Sequence, residues 1–162
     1  MSNFIKGQQL RELLLGTQVI KSAQAFPQGA PGTATLFTVA GGTVLVTSLF
    51  GIVTTAVAGT DPQLSLGMAP TIGTAQTSGI ATTKALTSAE IGTLIAVTSS
   101  GGVPTTLAVM TTAAKAGNAV FPALGGFIAN TGTITQTAQV AETGAISWYL
   151  TYIPMDTGAS VS

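Results

Sequence analysis

The chain has 162 residues, 46% of them hydrophobic and only 6% charged, with five Lys/Arg balancing five Asp/Glu. An ordinary soluble domain is about 25% charged, so the deficit sets this chain apart. With neither His nor Cys, it has no ordinary zinc site, no Cys nucleophile, no His general base and no disulfide framework.

Other classes fall away on the same grounds. Five cations are too few to line a long phosphate track, so no nucleic-acid partner is expected. Disorder needs low hydrophobicity and high charge, and this chain has the opposite. Near-zero net charge favours association, so much of the neutral surface is expected to lie against other subunits. Length allows one domain with an arm.

Residues 1–32 read as an N-terminal arm and hinge, and 33–162 as a β-rich body. Gln8 to Leu15 has a helical pattern, with Leu10, Leu13 and Leu14 on one side and Gly16 as its stop. An isolated helix of this length is marginal in water, so it must dock. Two readings stay open: it packs on its own body, or it reaches a neighbour. Lys6 and Arg11 before Leu13-Leu14-Leu15 fall short of a signal peptide, whose apolar core needs about 7–15 residues. Pro27, Gly29, Pro31 and Gly32 form the hinge.

The body is expected to open with a hairpin: Thr35 to Val39, a turn at Ala40-Gly41-Gly42, then Thr43 to Phe50. The second strand is apolar on both parities, which predicts burial on both faces, or one face in the core and one in an interface. Gly51 suggests a bulge or bend before Ile52 to Val57. The apolar run from Val44 to Ala58 is too short and too β-branched for a membrane helix, which needs about 20 apolar residues. No membrane partner is expected.

Leu64 to Met68 alternates and predicts a strand, and 69–74 reads as irregular. Thr87 and Glu90 have capping-box spacing, but Gly92 leaves room for a single turn. Leu94 to Thr98 and Thr105 to Met110 read as strands. Thr111 to Ala116 fits helix or strand. Ala119 to Phe121 and Phe127 to Ala129 are short strand candidates. Thr133 to Val140 alternates, with Gln136 breaking its apolar parity. After a turn at 142–144, Ile146, Trp148, Leu150 and Tyr152 share one face, which predicts an antiparallel hairpin ended by Pro154. Trp148 and Tyr152 are expected in the core. Tyr149, on the opposite parity, is the candidate interface aromatic.

The fold class expected is all-β: an antiparallel sandwich or jelly-roll-like barrel with a short N-terminal helical or extended arm. The chemical inventory is thin. Lys21 beside Ser22 and Lys84 beside Thr83 are the nearest approach to a nucleophile pair; Lys115 is the other lysine a Ser or Thr could use. Asp61, Glu90, Glu142 and Asp156 are scattered turn and cap residues without a calcium-loop spacing. Gly41-Gly42, Gly101-Gly102 and Gly125-Gly126 lack phosphate-loop context. No enzyme activity, cofactor or metal is expected, and the tentative partner-interface residues are Leu10, Leu13, Leu14 and Tyr149.

Two stretches carry a resemblance. One is Thr35 to Thr55, with the pattern TLFTV-x-GG-x-V; the other is Gly144 to Val161, with G-x-I-x-W-x-L-x-Y-x-P-x-D-x-G-A. Together they resemble small virion-associated proteins of tailed bacteriophages and prophages, of the head-decoration or minor-capsid type. The arm, residues 1–20, has no counterpart there. The resemblance implies a structural virion protein on the capsid surface that binds the major capsid protein noncovalently and stabilises the head. By analogy it also implies a homotrimer. The alternatives are a phage tail, baseplate or fibre component, or a surface carbohydrate-binding β module.

Overall fold

The computed structural model describes residues 15–27, 32–59, 61–87, 89–100, 103–110, 126–140 and 143–162. Leu10, Leu13, Leu14, the strand candidates at 111–121, Lys115 and Glu142 lie outside the described residues. The described chain is a β-sandwich of eleven strands: β1 (Thr17–Ala25), β2 (Gly32–Ala40), β3 (Val44–Ala58), β4 (Gln63–Pro70), β5 (Gln76–Ala85), β6 (Leu94–Ser100), β7 (Val103–Met110), β8 (Phe127–Ala129), β9 (Gly132–Ala138), β10 (Thr143–Pro154) and β11 (Ser160–Val161).

One layer runs β1-β10-β3-β6-β7, with β8 also paired to β3; the other runs β5-β4-β9-β2-β11. All pairings within the layers are antiparallel. A short parallel contact, Ala81 opposite Thr105 and Thr82 opposite Thr106, joins them through β5 and β7.

Two expected hairpins are absent. β2 pairs with β9 and β11, whereas β3 pairs with β10, β6 and β8. Likewise β9 pairs with β2 and β4, while β10 pairs with β1 and β3. In both places the chain crosses from one layer to the other at the turn. The physical reason lies in the faces. Val39 and Val44 are both buried, as are Ile134 and Trp148, and strands in opposed layers bury such faces against each other across the core. β4–β5 and β6–β7 are antiparallel neighbours in sequence and in space.

β1 runs through residues assigned from sequence to arm and hinge. Thr17 to Lys21 alternates half-buried and exposed, and pairs in register with Tyr152 to Trp148. Five residues of period two, flanked by a helical pattern, are too short a signal to stand out. A bulge follows, where Ala23 takes a positive φ of 46° and its N–H donates to Ser147 Oγ (2.9 Å).

Gly51 is neither bulge nor bend. Its pairing with Trp148 is regular, and a Cβ there would lie 2.7 Å from Ile146 Cγ2 and 3.0 Å from the Trp148 ring. The glycine admits the indole to the layer. The irregularities in β3 fall instead on either side of it, between Ser48 and Val46 and between Val53 and Ala58, where the register with β10 shifts. A second bulge in β2 at Leu36 turns both Leu36 and Phe37 inward.

The core lies between the layers, around Trp148, Phe26, Phe37, Leu36, Leu49, Ile134 and Ile146. Tyr152 joins it, as its parity predicts.

Candidate interaction surface

The two motif stretches are one object in space. β3 and β10 pair from Val44–Pro154 to Ala58–Thr143. At one end of this ladder the Gly41-Gly42 turn sits on the loop after Pro154. Thr43 N–H donates to Asp156 Oδ2 (2.7 Å), and Met155 N–H donates to the Thr43 carbonyl (3.0 Å). Gly41 has φ of 73°, and a Cβ on it would lie 2.2 Å from the Gly158 carbonyl oxygen. A side chain there would meet strain and a backbone clash together. Beyond the loop, Thr38 and Ser162 exchange N–H···O bonds (2.8 and 3.0 Å), tying β11 to β2.

Buried polar groups in this unit are satisfied. Gln136, on the inner face of β9, accepts from Trp148 Nε1–H across the core (3.1 Å). Its own Nε2 donates to the Ala25 carbonyl (2.8 Å). A Gln on an apolar parity opposite an indole was the available sequence signal, since a buried Trp N–H needs an acceptor. No buried side-chain polar atom among the described residues lacks a partner.

The specified residues of the two patterns thus serve the scaffold: Leu36, Phe37, Val39, Val44, Ile146, Trp148, Leu150 and Tyr152 are buried, and Gly41, Gly42, Asp156 and Gly158 build the turn junction. The unspecified positions 145, 147, 149, 151 and 153 alternate onto the opposite, outer face of β10.

That outer face is apolar in rows across the strands. Ile20, Tyr149 and Phe50 stand in register on β1, β10 and β3. Ile20 is 49% exposed, and the Tyr149 and Phe50 rings stack at 4.9 Å with planes 8° apart. A second row joins Ile153, Leu45 and Ile128 on β10, β3 and β8, with Ile128 60% exposed. The row between them, Gln18, Thr151 and Ser48, is polar and uncharged. The other layer differs. β5 carries extra residues between Gln76 and Ala81 that lie against β4, where Ser65 Oγ donates to the Thr77 carbonyl (3.0 Å). Its β9 residues Thr135 and Thr137 are buried as well.

The candidate reactive pairs do not converge. Thr83 and Lys84 are consecutive on β5 and project to opposite sides. Lys21 is half-buried in register with Trp148, while Ser22 is exposed at the bulge. Asp156 accepts from the β2–β3 turn, and Asp61 accepts from Gln63 Nε2. Among the described residues no group of three His, Cys, Asp or Glu comes together to hold a metal. Nor is any helix there long and apolar enough to cross a membrane.

Comparison with protein-family models, curated proteins and solved structures finds no match to this chain.

Proposed function

We propose that the protein is a structural virion component, a capsid decoration or minor capsid protein that clamps the major capsid lattice noncovalently. The observation that carries the reading is the uncharged outer face of the β1–β10–β3 layer, with Ile20, Tyr149 and Phe50 as its apolar row. Such a row on a rigid sheet suits an interface core, which is depleted in charge and enriched in aromatics. The charge deficit of the whole chain and its likeness to phage head-associated proteins point the same way. In this reading the protein works as a homotrimer on the capsid surface and needs no cofactor.

The test is its place and copy number in virions. Density for the protein over the head lattice, at many copies per particle, is the expected result. A few copies confined to the tail would replace the reading with a tail or baseplate part. Glycan binding that is lost in Tyr149→Ala would replace it with a carbohydrate-binding module.

A further inference from the structure

We propose that the outer edge of β1 pairs with the same edge of a second copy of this chain, in an antiparallel ladder centred on Val19. β1 ends the strand order of its layer, and among the described residues it pairs on one side only, with β10. An edge strand of this kind presents a row of N–H and C=O groups that is a template for another strand. The other end of the strand order is a poorer template. There β11 pairs with Ala40 and Val39, Ser162 exchanges bonds with Thr38, and β2 is bulged at Leu36. The usable part of β1 is short and well bounded. Gly16, at φ of 81°, ends the regular strand before Thr17. After Lys21 the register with β10 shifts, and Ala23 commits its N–H to Ser147 Oγ. Gln24 Nε2 then donates to the Ser22 carbonyl (2.8 Å), which takes that acceptor out of play. A bulge blunts an edge, so the open stretch runs from Thr17 to Lys21.

Only one antiparallel register pairs that whole stretch with itself. It sets Thr17 opposite Lys21, Gln18 opposite Ile20, and Val19 opposite Val19 of the second copy. Charge selects the same register. Lys21 is the only charged residue in β1. With the ladder centred on Val19, each Lys21 meets a Thr17, and the two lysines stand four positions apart, about 13 Å along the strands. That exceeds the Debye length of about 8 Å at physiological salt. Centring the ladder on Ile20 halves the separation, and an in-register parallel pairing sets the two lysines side by side. The outward parity agrees as well. Gln18 and Ile20 are its exposed residues, and Ile20 of one copy stands diagonal to Ile20 of the other, about 7–8 Å away. The two Ile20–Tyr149–Phe50 rows then join end to end as one apolar stripe. A two-fold contact does not close a trimer; on a capsid it links one trimer to the next.

The chain has no native Cys, so single cysteines at the exposed positions read the register directly. Full-length Gln18→Cys and Ile20→Cys proteins, mixed and oxidised, are expected to form a mixed disulfide dimer, because directly opposite positions have Cβ atoms about 4.5–5.5 Å apart. Each variant alone is expected to cross-link at least about tenfold more slowly, because its two cysteines lie on the diagonal, at the limit of what a disulfide spans. A mixture that cross-links no faster than either variant alone would overturn the proposal. Hydrogen exchange in the unsubstituted full chain is the second readout. Amides within Thr17–Lys21 that point away from β10 are expected to exchange more slowly as protein concentration rises. Rates independent of concentration would overturn the proposal. Neither experiment involves a capsid, so its outcome is independent of the proposed virion role.

Discussion

Gln136 and Trp148 are coupled across the core, and the coupling is worth more than one ordinary hydrogen bond. The amide satisfies the indole N–H and the Ala25 carbonyl at once. Gln136→Leu removes both partners without removing the groups they served. The buried indole N–H left unpaired costs about 1–3 kcal/mol, while the carbonyl of exposed Ala25 can turn to water, so the variant is expected to lose about 1–3 kcal/mol in urea unfolding followed by Trp148 fluorescence. Adding Trp148→Phe to Gln136→Leu removes one orphan, so the double variant should lose less than the sum of its singles. Gly51→Ala acts on the same indole from its flank. Its methyl would sit against Ile146 and the Trp148 ring, an overpacking that costs about 1–3 kcal/mol by the same measurement. Both effects were half visible in the sequence. A lone Gln on an apolar parity and a Gly inside an apolar run announce exceptions to a pattern. What answers each exception is a residue on another strand, and period-two patterning carries no information about that.

Strands themselves were largely legible, but their partners were not. Alternation placed β4, β6, β7 and β10 close to where they lie, and the buried and outer faces of β10 follow its parities. The expected hairpins β2–β3 and β9–β10 failed because a glycine turn between two apolar strands is compatible with two outcomes. The strands can lie side by side, or face each other across a core. The choice rests on which faces the two strands bury, and contacts at the turn then hold it. Here the Gly41-Gly42 turn is held by Asp156, whose carboxylate takes the Thr43 N–H. Asp156→Ala is expected to lower stability by about 1 kcal/mol, because the bond is charge-assisted but exposed. Asp156→Asn, which keeps an acceptor oxygen, should lose less. The difference would appear as a shift in thermal midpoint, and hydrogen exchange at Thr43 should rise in Asp156→Ala first.

For the whole molecule, the proposed virion role makes the asymmetry between the two outer faces the feature that would decide how it associates. The β1–β10–β3 face presents apolar rows with a neutral polar row between them, and contacts built on it owe little to ion pairs. Association through this face is expected to persist from low to molar salt, because screening weakens exposed charge interactions and leaves apolar burial intact. Sedimentation velocity across that range checks it, and dissociation at high salt would contradict it. Ile20→Asp places a charge in the middle of the open row at a half-exposed position. Its effect on folding stability should stay within about 0.5–1 kcal/mol, while capsid binding in a co-sedimentation assay should fall at least about tenfold.

The crossing turns also govern when the chain can fold. β1 and β3 find their main partner in β10, more than eighty residues further along, and β2 finds its partners in β9 and β11. Ladders between such distant segments close slowly, because the loop entropy is lost before the contacts form. During synthesis the apolar strand Val44–Ala58 therefore leaves the ribosome long before Thr143–Pro154 arrives to pair with it. Its exposure in that interval makes the nascent chain, rather than the finished sandwich, the species most in need of chaperone protection.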